Sequence, residues 1–343
     1  MTPFTIAPHL ETLLAKRDLA PEAASEIMTA IMEGRVPPAS IAAFVVALRA
    51  KGETAAELAA LSKVMRAAAV PVSAPAGTLD TCGTGGDKSE TFNISTATAF
   101  VVAGMGIPVA KHGGRSVSST SGSADVLKEL GVNIEAKSDC VAECIKKAGI
   151  GFMFAPMHHP GMKHVAPVRK ELGIRTVFNL LGPLSNPAGA KLQLLGVFHP
   201  DLCRAFTEVL QILGSESAMV VCGAGPGNRG HLDEFSTFGP STFAWLKGGK
   251  IEIGTLDATT LGLQPPKPNA LAAKDCAESA AIIRSVLAGA PGPARDIVCL
   301  NAAAAALVAN KADAWPAALR MAERSIDAGK ALEALKQLVA LTV

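Results

Sequence analysis

Between Asp80 and Phe100 the chain reads DTCGTGGDKSETFNISTATAF, where Gly83, Gly85 and Gly86, a series of hydroxyl side chains and two aspartates crowd ahead of an apolar run. Residues this small build no core. Glycines let the main chain bend tightly and bring bare N–H groups up to a ligand. The continuation NISTATAFVVAG reads as a helix with Ser95 and Thr96 at its positive end, so the loop could cradle a phosphate. A Walker A loop has glycine before Lys-Ser/Thr, whereas Asp87 stands there and would repel a triphosphate. Asp87 suits sugar hydroxyls or the water shell of a magnesium ion better. The plainer alternative is a solvated glycine turn with Ser95 capping a helix.

The stretch KHGGRSVSSTSGSADVL, Lys111 to Leu127, repeats the recipe with two glycines, the cations Lys111 and Arg115, several serines and a helix from Ser123. Two such cradles suggest a ligand with more than one phosphate group, against an alternative in which Lys111 and Arg115 are surface cations. Asp233-Glu234, after the strand-like SAMVVCG, could share magnesium ions and their waters, although such a pair is often only solvated surface. His158, His159 and His164 lack the H-E-x-x-H spacing and have no thiolates nearby, which argues against a metal site. Arg169 and Arg175 could take a substrate carboxylate in a bidentate contact, or pair on a helix surface. Gly225, Gly227 and Gly230 spell the dinucleotide fingerprint, but HLDEFSTFG follows where a pyrophosphate-binding helix should begin, so that match is read as accidental.

Several elements must hold these groups in place. Ala24, Ile27, Met28 and Ile31 recur at helical spacing between Pro21 and Gly34, and Ile41, Phe44, Val45 and Leu48 form a second helical stripe ending near Gly52. Thr54 with Glu57 reads as a capping box opening a third helix, so roughly the first 70 residues are a helical unit. VPVSAPAG, Val70 to Gly77, is a proline-punctuated boundary. Beyond it the strands TLDT, IPVAKHG, GFMFAP, LQLLGVF and SAMVVCG alternate with helices such as Ser123–Leu130 and Leu202–Leu213. That alternation predicts an α/β layer with a mixed or parallel sheet. A hairpin turns on Gly248-Gly249, and helices close the chain.

At 49% hydrophobic and 18% charged, the 343 residues can bury a large core, which excludes disorder. A net charge of +2 with no basic block argues against non-specific binding to nucleic acid or an anionic membrane. No apolar run is long enough to span a bilayer and no secretory leader is evident, so the cytoplasm is expected. The seven cysteines form no C-x-x-C pair, and reduced thiols without structural zinc are expected.

In this order, GTGGD, NIST, KHGGRSVSS, GSADVL, HPGMKHVAPVRKELGIRTVFNLLGPLSNPAG and LDE resemble the anthranilate phosphoribosyltransferase family over nearly the whole chain. The pyrimidine nucleoside phosphorylases share its architecture but not the RTVFNLLGPLSNP wording. The resemblance implies a small N-terminal helical domain, residues 1–72 with a contribution from about 165–188, hinged to a large α/β domain, residues 73–343, with a central sheet flanked by helices. It implies an active site in the cleft, a homodimer formed through the helical domain, and Mg²⁺ at two ions per site. Phosphoribosyl pyrophosphate would be held by Gly83, Gly86, Asp87, Thr91, Asn93, Ser95 and Thr96. Lys111, His112, Gly113, Gly114, Arg115, Ser118, Ser119 and Ser123 would complete that site. Anthranilate would meet Gly83, Gly114, His159, Arg169 and Pro183, and the metal Ser95, Asp233 and Glu234. The implied reaction, with no dedicated acid or base, is the second step of tryptophan synthesis from chorismate. Family members commonly carry asparagine where this chain has Gly114, which bears on the acceptor. The approach CGAGPGNRGH to Asp233 is also long. Another aromatic acceptor, a nucleoside phosphorylase-like activity and a non-catalytic nucleic-acid-binding relative are the alternatives.

Overall fold

The computed structural model describes residues 4–87, 89–115, 122–228 and 230–343. The chain opens with α1 (Ala7–Leu14), α2 (Pro21–Met32), α3 (Pro38–Lys51) and α4 (Ala55–Ala67). Proline starts α2 and α3, where a missing N–H leaves no bond unmade. The helices from Pro21 and through Ile41 and the capping box at Thr54 match the sequence reading, whereas the eight-residue α1, of which only Leu13 is buried, is absent from it. Thr54 Oγ1 accepts from Glu57 N at 3.2 Å, and the Glu57 carboxylate accepts from Thr54 N at 2.8 Å. The same fully buried carboxylate takes Lys51 Nζ at 2.8 Å and Leu19 N at 2.9 Å, tying together the end of α3, the start of α4 and the approach to α2.

Then come β1 (Leu79–Gly83), α5 (Ile94–Gly104), β2 (Val109–Gly113), α6 (Ser123–Glu129), α7 (Ser138–Ala148) and β3 (Ile150–Phe154). The chain leaves the sheet through α8 (Ala155–His158), α9 (Ala166–Leu172) and α10 (Val177–Leu181), and returns as β4 (Leu192–Gly196), α11 (Leu202–Ile212), β5 (Ser217–Ala224) and β6 (His231–Leu232). The hairpin β7 (Ser241–Lys247) and β8 (Lys250–Leu256) precedes α12 (Cys276–Leu287), α13 (Pro293–Val308), α14 (Trp315–Asp327) and α15 (Lys330–Thr342). Gly248 and Gly249, both at positive φ (56° and 76°), make the hairpin turn.

The sheet runs β3-β2-β1-β4-β5-β7-β8, with β6 beside β5. Strands β1 to β5 are parallel, and β6, β7 and β8 are antiparallel, so the sheet is mixed. Strand residues alternate between two cores. Leu79, Leu192, Leu194, Met219 and Val221 face α5 and the closing helices. Cys82, Leu195, Ala218 and Val220 face α11 and a core continuous with Phe44, Leu61, Phe178 and Leu184. Helices α9 and α10 pack on α3 and α4, so the excursion between β3 and β4 joins the helical layer. Among the described residues no helix is long and apolar enough to cross a membrane. Among the described residues no disulfide joins any of the seven cysteines.

Candidate active site

A cleft of about 690 Å³ opens at the carboxyl ends of β1, β2 and β4, facing the α9–α10 excursion. Of the residues expected from sequence, Gly83, Gly86, Asp87, Thr91, Asn93 and Ser95 line one wall. Lys111, His112, Gly113, Gly114, Arg115 and Ser123 continue it, Asp233 and Glu234 form its floor, and Arg169 and Pro183 stand opposite. Thr96 and His159 are close by but do not line the cleft. Thr96 is buried one residue further into α5 and donates to Asn93 Oδ1, and the buried His159 ring lies 5.1 Å from His112, centroid to centroid. Ser118 and Ser119 lie outside the described residues. The sequence reading passed over Phe154, Pro156, Phe178, Asn179 and Phe198, which also line the cleft. No local signal marks them, because only the return of the chain past β3 brings them together.

Three glycines place the carboxylates. Gly83 and Gly196 are paired across β1 and β4, and Gly223 sits near the end of β5. A Cβ at Gly83 would strike the Asp233 carboxylate, one at Gly196 the Asp233 carbonyl, and one at Gly223 the Glu234 carbonyl. The main chain at Asp233-Glu234 thus lies directly on the strand ends. Asp233 Oδ2 accepts from Gly85 N at 2.8 Å, and Asp87 Oδ2 lies 3.4 Å from Asp233 N, which donates to it. The main chain of Ser95 at the start of α5, where the helix dipole favours negative charge, offsets part of the upward pKa shift of Glu234.

Both carboxylates keep part of their surface on the cleft, yet so little water reaches their charged ends that burial, followed by Asp87, pushes Asp233 up to about 8. Burial and then Asp233 push Glu234 well above the usual carboxylate range. Three carboxylates gathered this way outweigh the Lys111 ammonium that attracts Glu234, and a divalent cation is the group that fits them. Among the described residues no three His, Cys, Asp or Glu side chains already converge as a metal cage. That suits Mg²⁺, which keeps several waters and takes one or two carboxylates together with substrate phosphates.

Lys111 is no surface cation. It is 2% exposed, and Nζ donates to Thr81 O at 2.6 Å and Ser95 Oγ at 3.2 Å. Beneath it the fully buried Asp80 accepts from His112 N at 3.3 Å. Burial raises Asp80 to about 6 and lowers Lys111, while attraction between the two offsets part of each shift. Burial, then the His159 and His158 rings, hold His112 down to about 3, and burial with His158 holds His159 at about 4. Both imidazoles are therefore neutral at pH 7. On the opposite wall Arg169 is half-buried, which lowers its pKa, and with Arg175 it carries positive charge to a face that also includes Phe178, Asn179 and Pro183. A Cβ added at Gly114 would meet only Ala155 Cβ, at 3.8 Å, so the position has room for a side chain.

Residues 76–332 match the family described as "Glycosyl transferase family, a/b domain", and residues 7–69 match "Glycosyl transferase family, helical bundle domain". The fold and the cleft thus define a glycosyl-transferring class of enzyme. An anthranilate phosphoribosyltransferase of Laribacter hongkongensis is 52% identical over 319 residues, 92% of either chain. The structure of the Thermus thermophilus anthranilate phosphoribosyltransferase superposes with a TM-score of 0.90 at 40% identity, covering 97% of this chain and 98% of that one. The Saccharomyces cerevisiae enzyme in complex with PRPP and Mg superposes at 0.88 with 28% identity, over 98% and 97% of the two chains. A second yeast structure, in complex with 4-fluoroanthranilate, gives 0.87 at 26% identity over 99% and 98%. The chain belongs to this glycosyl transferase family, in its anthranilate phosphoribosyltransferase branch.

Two outcomes follow from this geometry. Gly196→Ala drives a methyl into the Asp233 main chain, so activity should fall by at least about tenfold at saturating magnesium; turnover and magnesium titration will measure it, and unchanged kinetics would refute the close approach. The unfolded chain protonates its histidines near pH 6.5, whereas folded His112 refuses the proton until about 3. Stability is then complete above pH 6.5 and falls on acidification, by about 2 kcal/mol at pH 5 from this residue. Urea unfolding at pH 7.5 and 5.0 should show a smaller loss for His112→Gln than for the unaltered protein.

Proposed function

We propose that the chain transfers the phosphoribosyl group of phosphoribosyl pyrophosphate to the amine of anthranilate, giving N-(5-phosphoribosyl)anthranilate and pyrophosphate in tryptophan synthesis. One observation carries the reading. In a chain half identical to anthranilate phosphoribosyltransferases, a floor of carboxylates and glycine amides faces an arginine across one cleft. The donor is placed on the first wall, its phosphates toward the 83–87 amides, the start of α5, Lys111, the stretch from His112 to Arg115, and Ser123, with Ser118 and Ser119 outside the described residues. Asp233, Glu234 and Ser95 hold the metal, at two ions per site. Arg169 takes the anthranilate carboxylate, with Gly83, Gly114 and Pro183 shaping the space around the ring and His159 backing it through the His112 ring.

In the reaction the bond from the anomeric carbon to pyrophosphate breaks, its electron pair leaves with pyrophosphate, and the amine lone pair forms the new C–N bond. An aniline-type amine is uncharged at neutral pH, so the cleft has to orient it rather than deprotonate it, and its proton leaves to solvent. Magnesium, when bound, supplies positive charge against the charge growing on pyrophosphate. The chain's own part is placement: fixed glycine amides, the Lys111 ammonium and the Arg169 clamp hold both reactants in line.

Residues 1–72 with about 165–188 are taken as the helical body and 73–343 as the α/β body. A homodimer through the helical body is supported by the exposure of Leu14 (67%) and Val46 (41%) there. The cytoplasm, where this chemistry finds its substrates, is the proposed location.

Anthranilate fluorescence tests the reading. It should decay only when phosphoribosyl pyrophosphate and Mg²⁺ are both present; a persistent signal with bound donor would move the search to another aromatic acceptor. In the same assay Asp233→Asn with Glu234→Gln should raise the magnesium needed for half-maximal rate by at least about tenfold. Arg169→Ala should raise the acceptor KM by roughly tenfold and leave the donor KM in place, as expected for loss of a charged contact to one substrate.

A further inference from the structure

Arg175, which the sequence offers beside Arg169 as a carboxylate clamp, lies in the same cleft but is not needed for either substrate in the proposed reaction. It follows Arg169 by six residues, on the segment between α9 and α10. Its Nη2 donates to the main-chain carbonyl of Gly86. Its guanidinium carbon stands 4.4 Å from the centroid of the Phe198 ring, a stacking contact that fixes the plane of the fork. Its own carbonyl accepts from Nη1 of Arg49 on α3. The side chain therefore reaches from the helical layer to the glycine loop.

Gly86 is matched to this contact. Its φ is +77°, and a Cβ there would fall on the guanidinium, so the glycine makes room for both the turn and the arginine. Trans peptide units are planar, so the carbonyl of Gly86 and the N–H of Asp87 point in opposite directions. Holding that carbonyl from the helical side turns the next amide toward the sheet side, where Lys111, Asp233 and Glu234 stand. From the sheet side Asp233 Oδ2 already holds Gly85 N at 2.8 Å. The loop is gripped from both walls.

We propose that Arg175 is a positioning residue for the donor: it sets the amide geometry of the 83–87 loop from the acceptor wall, so the donor site is complete only when the segment carrying Arg169 is in place. This rests on the donor-binding reading of that loop. The proposal differs from a structural role in being selective for one substrate.

The test compares steady-state kinetics and melting of the intact protein with Arg175→Ala, Arg175→Lys, Phe198→Leu, Gly86→Ala and the Arg175→Ala/Gly86→Ala pair. Arg175→Ala should raise the donor KM about tenfold, the size expected for one hydrogen bond from a charged donor, and shift the acceptor KM less than about twofold. Arg175→Lys should recover part of the loss, since its ammonium can still reach the carbonyl. Gly86→Ala should cost less in the Arg175→Ala background than in the native one, because the clash is gone. Equal rises in both KM values, an unchanged donor KM, or strict additivity in the pair would overturn the proposal. If Arg175→Ala melts below the assay temperature, Phe198→Leu decides, by a smaller donor-specific rise or its absence. Failure of the unaltered protein to turn over the two substrates would instead overturn the donor reading itself.

Discussion

The main chain at Asp233 and Glu234 rests on the ends of β1, β4 and β5, and it can do so only because Gly83, Gly196 and Gly223 present no side chains there. The sheet order makes this the natural place for a site. Neighbours β2 and β4 lie on opposite sides of β1, so the connections diverge and leave a crevice beyond the carboxyl ends. A layer of Cβ atoms would lift the 233–234 segment away from the glycine loop. Its contacts to Gly85 and Asp87 would then be lost together.

With the segment seated, the cleft acquires its charge pattern. Asp233, Glu234 and Asp87 are crowded where burial penalises each negative charge, a condition a cation relieves. Lys111 is a single buried cation held by Thr81 and Ser95, with Asp80 below it. Such a pair is costly to bury and is a poor source of stability, but it fixes an ammonium group at the point where β2 meets the start of α5. The neutral rings of His112 and His159 add bulk and hydrogen-bonding capacity without adding charge. The cleft thus keeps its positive charge at chosen points, Lys111 and Arg115 on one wall and Arg169 and Arg175 on the other.

Local signals made much of this legible in sequence. The capping box at Thr54, the Gly248-Gly249 hairpin and the alternating strands depend on neighbours within a few residues, and each fell where the pattern placed it. GTGGD and LDE could be paired through a family resemblance, but the reason they meet could not be read. Gly196 and Gly223 are isolated glycines at strand ends, and their meaning lies in a segment that crosses them from elsewhere in the chain. Phe198 and Asn179 were invisible for the same reason. The opposite error was avoided at Gly225, Gly227 and Gly230, where the chain passes into a short 3-10 turn and then β6 instead of a helix.

One turn connects the two walls. Leu184 O accepts from Arg66 Nε of α4 at 2.7 Å, and Pro183 O accepts from Gln193 Nε2 of β4 at 2.6 Å. Asn186 Nδ2 donates to Ala110 O at 2.8 Å, beside Lys111 on β2. Residues 182–186 are therefore bonded to the helical layer, to β4 and to β2 at once, and Ser185 is closed back on Leu181. The turn thus joins α4 by hydrogen bonds to the strand that bears Lys111 and His112. The placement of the helical layer is in this way part of the geometry of the wall that carries Lys111 and His112, even though no described residue of α1 to α4 lines the cleft.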